Sequence, residues 1–228
     1  MFNLKRISLA MVMLVVAVAA MGCRKDNNPV MPKPMARVMA VHASPDAPAV
    51  DLLVDGVVAG TGLTFPNNTG YLTVKAGTRN LKINVAGTTT TVINADLPLS
   101  PSASYTVFAA DSVSKIGPVV LTDDLTAPAA GMAHVRFVHL SPNAPAVDVA
   151  VTSGPVLFPN KSFKQFSPFT PVAAGTYNLE VRPAGSGSVV LPLPGITLQA
   201  GKIYTVFAKG FLGGTGVQAL GAQIIVNN

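Results

Sequence analysis

The sequence predicts an all-β protein made of two tandem β-sandwich domains behind an N-terminal export segment. Three observations carry this. Apolar runs of four to eight residues alternate with turn signals, and no stretch keeps a helical period over the length of a helix. Gly (20) and Pro (19) fall between the runs as punctuation, as in many-turned β proteins. A ten-residue stretch occurs twice: His42-Ala43-Ser44-Pro45-Asp46-Ala47-Pro48-Ala49-Val50-Asp51 and His139-Leu140-Ser141-Pro142-Asn143-Ala144-Pro145-Ala146-Val147-Asp148, with eight of ten positions identical. Their offset is 97 residues, the length of a duplicated domain rather than of a short solenoid unit.

Composition narrows the classes. Hydrophobic residues make up 49% and charged residues 11% of the chain, which excludes a disordered protein. Without Lys5 and Arg6, 14 basic residues face 10 acidic ones, and they are scattered, with no run and no aromatic interleaving. They read as solvating charges, and no nucleic-acid partner is expected. A single Cys rules out an internal disulfide framework.

Met1 to Cys23 reads as an address. Lys5 and Arg6 form a positive n-region, and Ile7 to Ala20 is a 14-residue apolar h-region too short for an ordinary membrane span. The following Ala20-Met21-Gly22-Cys23 resembles the lipobox of bacterial lipoproteins, with Ala20 where that family usually has Leu. The resemblance implies cleavage before Cys23, a signal peptide of residues 1–22, and lipid attachment at Cys23. Two or three acyl chains suffice for stable anchoring, at about 0.8 kcal/mol per buried CH₂. Arg24-Lys25-Asp26 resembles the export signal that follows the acylated Cys in surface-exposed lipoproteins. Pro29, Pro32 and Pro34 favour a disordered tether over residues 23–35. The address implies the cell envelope, with the outer membrane or cell surface as the destination.

Domain 1 is expected over residues 36–125. Arg37–Ala43 and Ala49–Val54 open it, and Asp55-Gly56 is a tight-turn signal into Val57-Val58. Tyr71–Val74, Leu81–Val85, Thr89–Ile93, Ser104–Ala110 and Val119–Thr122 follow. Thr126–Gly131 is linker-like, giving a linker over 126–132 and domain 2 over 133–228. There Ala133–Leu140, Val147–Val151, Ala174–Leu179, Tyr204–Ala208 and Ala222–Val226 repeat the order. Seven or eight strands in about 90 residues fit a two-layer sandwich with one apolar face per sheet, in an immunoglobulin-like or transthyretin-like layout. Neither copy holds Trp or a Cys pair, so these are not antibody-type domains. Each copy is long enough to bury a core alone.

The run Ala-x-Val-x-x-Val-His-x-Ser-Pro-x-Ala-Pro-x-Val-Asp, present as Ala36–Asp51 and again as Ala133–Asp148, resembles the bacterial domain of unknown function family 4397. The resemblance implies secreted or lipid-anchored proteins with repeated copies. It implies no activity, substrate, cofactor or catalytic residue.

His, Ser and Asp within ten residues raise a hydrolase reading, with His42 as base, Ser44 as nucleophile and Asp51 as orienter. In an extended strand His42 and Ser44 point to the same side, Ser44 enters a proline turn, and no Gly-x-Ser-x-Gly elbow exposes a nucleophile. A metal site is the second reading, but each copy offers one signature His and one or two carboxylates, short of the ligands zinc needs. Structural roles fit better. Pro45 and Pro48 hold a crossover, Ser and Asp/Asn cap its backbone, and His42 and His139 end core-facing rows. Each imidazole is expected to bond loop backbone or its own copy's Asp. His42, Asp51, His139 and Asp148 thus stand as a candidate ligand site, with no catalytic residue, metal or cofactor assigned.

Other candidates are weaker. Gly210–Gly216 is Gly-rich but lacks the Lys-Ser/Thr of a phosphate loop, and reads as a flexible hairpin. Phe158, Phe163, Phe166 and Phe169 read as core or as an exposed contact patch. Glu180 is the sole glutamate, so a paired-carboxylate glycosidase would depend on Asp residues. The function expected is therefore a lipid-anchored envelope protein in binding, adhesion or structure, with a protein or envelope polymer as partner. The alternative is an envelope hydrolase or metal-dependent enzyme at the His42/Asp51 and His139/Asp148 pairs.

Overall fold

The computed structural model describes residues 33–228, which form one compact unit. The expected signal peptide, Cys23 and most of the tether lie outside the described residues. In copy one the strands are β1 (Met35–Ala43), β2 (Val50–Val54), β3 (Val57–Leu63), β4 (Asn68–Lys75), β5 (Gly77–Val85), β6 (Thr91–Leu99), β7 (Ser104–Ala110) and β8 (Gly117–Asp123). In copy two they are β9 (Met132–His139), β10 (Val147–Val151), β11 (Val156–Lys161), β12 (Thr170–Ala173), β13 (Gly175–Pro183), β14 (Leu191–Leu198), β15 (Ile203–Lys209) and β16 (Gly221–Val226). Helix among the described residues is limited to two 3-10 turns, Val113–Lys115 and Gly216–Gln218.

Each copy is a sandwich of two four-stranded sheets. Copy one pairs β4-β1-β7-β8 with β3-β2-β5-β6, and copy two repeats this as β12-β9-β15-β16 with β11-β10-β13-β14. The β1–β7 and β9–β15 pairs are parallel, and the other pairs are antiparallel. At the β2–β3 turn Asp55 (φ 50°) and Gly56 (φ 79°) are both left-handed, as a two-residue hairpin requires. The strands least visible in the sequence, β11, β12 and β14, carry Pro159, Pro171, and Pro192 with Pro194. All three are sheet edges, where a missing N–H breaks no ladder.

Alternate residues of β1 and β7 (Val38, Ala40, Val107, Ala109) fill the first core with Leu52, Leu81 and Ile83. Phe137, Val149, Phe158 and Val206 centre the second. The remaining residues of β1 and β7 do not meet solvent. Met39, Val41, Phe108 and Leu121 pack against Val138, Leu140, Phe207 and Ile225 in a third core between the copies. The expectation of one apolar face per sheet therefore fails for the β4-β1-β7-β8 and β12-β9-β15-β16 sheets. Ser104–Ala110 is buried along its whole length, because a strand covered on both faces needs no polar alternation. The result is four layers, with the two continuous-apolar sheets inside.

Candidate functional site

The two signature stretches form the β1–β2 and β9–β10 crossovers. His42 and His139 are fully buried. His42 Nε2 donates to the Pro48 carbonyl at 2.9 Å, and His139 Nε2 to the Pro145 carbonyl at 3.0 Å. A carbonyl only accepts, so Nε2 carries the proton and Nδ1 is the bare nitrogen. Both Nδ1 atoms are buried with no geometrically sound hydrogen-bond partner among the described residues. Burial pushes both imidazole pKa values below the ordinary range, and the proline carbonyls oppose this only in part. Phe65 and Phe163 close the rings off edge-on, at 6.2 and 6.4 Å between centroids.

The aspartates point elsewhere. Asp51 accepts from the Gly62 N–H at 2.7 Å and the Gly87 N–H at 2.9 Å. Asp148 repeats this with the Asn160 N–H at 2.7 Å and the Gly185 N–H at 2.9 Å. These backbone donors, Gly87 before Gly62 and Asn160 before Gly185, hold both carboxyls below the usual carboxylate range. Neither aspartate hydrogen-bonds its copy's histidine. Each staples its strand to the irregular end of a neighbouring edge strand and to a turn, because a carboxylate has acceptor sites for two N–H groups at once.

Ser141 and the Asp46/Asn143 position tie the crossovers to the distant loops between β7 and β8 and between β15 and β16. Asp46 accepts from the Val113 N–H at 2.8 Å. Asn143 both accepts from the Leu212 N–H at 2.8 Å and donates to the Leu212 carbonyl at 3.0 Å. Ser141 donates to the Gly210 carbonyl at 2.6 Å. Ser44 is buried, and its hydroxyl has no partner among the described residues. The sequence expects these side chains to cap their own turn; Asp46, Ser141 and Asn143 bond across to another loop instead, and Ser44 bonds to neither. No group of three or more His, Cys, Asp or Glu side chains among the described residues is placed to hold a metal.

A second polar constellation lies between the copies, where sequence reading had marked nothing. Arg136 Nη2 faces Asp123 Oδ1 at 2.7 Å, off the hydrogen-bond axis, as an ion pair with both side chains buried. Arg136 also donates to Thr205 Oγ1 (2.8 Å) and Thr106 Oγ1 (3.0 Å). Thr106 donates to Asp123 Oδ2 at 2.7 Å, and Thr205 to Asn227 Oδ1 at 2.7 Å. Tyr71 closes the ring, donating to Asp123 at 2.5 Å and accepting from Asn227 at 3.1 Å. Burial, and then the Asp123 charge, push the Tyr71 phenol well above its ordinary value. The guanidinium stacks over Phe169, 4.5 Å from its centroid. The one signal in the sequence was a charge inside the apolar run Ala133–Leu140. Of the other phenylalanines, Phe158 is core and Phe166 is half exposed.

This arrangement supplies rigid bonding rather than an exposed nucleophile and base. The family model described as a domain of unknown function (DUF4397) matches residues 36–150, which take in all of copy one and the second signature. No curated protein matches the chain.

Proposed function

We propose that this chain, which belongs to the DUF4397 family of domains of unknown function, is a non-catalytic cell-envelope protein anchored through lipid on Cys23. Its role is binding, adhesion or envelope structure, with a protein or envelope polymer as partner, at the outer membrane or cell surface. The reading of the body rests on one observation. The signature imidazoles, aspartates and Asp46/Asn143 side chains bond backbone groups within their own copies. A carboxylate already committed to two backbone donors is poorly placed to move a proton on a substrate, and the bare imidazole nitrogens are buried out of a substrate's reach. The reading of the anchor rests on the h-region Ile7–Ala20 followed by small residues and the lone Cys23.

The experiment is fractionation of cells expressing the chain and its Cys23→Ala variant, with metabolic acyl labelling. The variant is expected in the soluble fraction without label. Retention in the membrane with unchanged labelling overturns the anchor.

A further inference from the structure

We propose that the second sandwich contains a binding cavity for a small, uncharged apolar ligand, at the end where its signature turn meets the loop between β15 and β16. A cavity of about 90 Å³ lies there between the two sheets. Val147, Val181 and Leu191 form its floor, the signature residues Ala144 and Pro145 one wall, and Leu212 and Leu220 the loop side. Its mouth is apolar too, with Val190 41% and Leu212 46% exposed.

The two copies differ at this place more than elsewhere. The loop between β7 and β8 has six residues, Asp111–Ile116, and its counterpart has eleven, Gly210–Leu220. In copy one Ile116 and Val92 pack onto the core. Their counterparts by strand register, Leu220 and Val190, line the cavity instead. The signature also changes here, from Asp46 to Asn143. Aspartate only accepts, whereas asparagine accepts and donates, so Asn143 grips both backbone groups of Leu212.

The inserted loop is the hairpin connection its glycines suggest, and it is tied to itself by backbone bonds. Phe211 N–H donates to Gln218 O at 2.7 Å, and Leu220 N–H to Phe211 O at 2.9 Å. At Gly210 a Cβ would lie 2.1 Å from the Ala219 carbonyl oxygen, so only glycine lets the loop close on itself. The chain thus builds a loop that holds one leucine at the rim of an unfilled apolar space. An apolar cavity of about 150 Å³ stays dry and takes benzene or xenon. This smaller one fits xenon or a short branched chain as it stands, and a ring if Leu212 turns aside. His139 also lines the cavity but presents no polar atom to it, so a charged ligand would lose its water with nothing in exchange.

The test is methyl NMR of the full-length chain titrated with benzene and, separately, under xenon pressure. Saturable shifts confined to the methyls that line the cavity, those of Val147, Val181, Val190, Leu191, Leu212 and Leu220, are expected. Val181→Leu, which fills the cavity, should abolish them, and Asn143→Asp, which loosens the Leu212 rim that encloses the smaller probe, should weaken xenon binding several-fold. No response to either probe in the wild type overturns the proposal, whatever the variants do. So do equal shifts at Ile83 and Val92 of copy one, which would mean unspecific solution in the cores. The outcome does not depend on anchorage at Cys23, so the two proposals fail separately.

Discussion

Phe108 and Phe207 occupy the same position in the two copies and meet edge to face across the junction of the inner sheets, with centroids 5.5 Å apart and planes at 68°. Equivalent residues touch in this way at the axis of a two-fold interface. The junction is a core shared by the copies, and its loss should be felt by both.

Phe207→Ala should destabilise the chain by about 3–5 kcal/mol, the range for truncating a buried aromatic. Hydrogen exchange should quicken in β7 as well as in β15. Acceleration confined to copy two would mean that the copies are stable separately.

At the same junction Arg136 stands where copy one has Met39, and Asp123 where copy two has Asn227. Arg136→Met alone leaves the Asp123 carboxylate buried without its cation, at a cost of about 3–5 kcal/mol. Adding Asp123→Asn makes the two halves alike and should restore most of that loss. A double-mutant cycle in chemical denaturation measures the coupling, and additive losses would show that the pair is not coupled.

The two buried histidines set an acid limit. Their folded pKa values lie below the unfolded one because burial disfavours the imidazolium. The unfolded chain therefore binds more protons in acid. The stabilisation is complete above about pH 6.5 and is lost as pH falls below it. Asp51 and Asp148, whose pKa values are also depressed, add their loss only below about pH 4. Tm should be level from pH 8 to 7 and decline from 6.5 downward. His42→Gln with His139→Gln should lower Tm at pH 8 and flatten that decline. An unchanged slope assigns the acid sensitivity elsewhere.

Asp51→Asn replaces one of the two acceptor oxygens that hold Gly62 and Gly87. Faster exchange of at least one of those amides is expected, with the Asn160 and Gly185 amides under Asp148 unchanged. Equal protection of all four would remove the staple role.

The sequence by itself determined the duplication, the strands built on continuous apolar runs and the turn chemistry. These are local properties: Asp55-Gly56 dictates its hairpin, and Pro45 and Pro48 dictate a crossover wherever the chain places them. Burial of His42 followed as well, since it continues the row of Ala36, Val38 and Ala40. Only the tertiary structure decided what each group meets. The continuous apolar run Ser104–Ala110 calls for cover on both faces but does not say by what. On one face the cover is the other sheet of its own copy, and on the other face it is the counterpart strand of the second copy, about a hundred residues away. Arg136 and Asp123 belong to different strands of different copies, and no spacing links them until the inner sheets dock. The signature aspartates look like partners for the histidines nine residues before them, yet backbone N–H groups of an edge strand and of a turn folded in from elsewhere claim them first. A buried polar group takes whichever partner the packing brings within reach, and that choice is made in three dimensions.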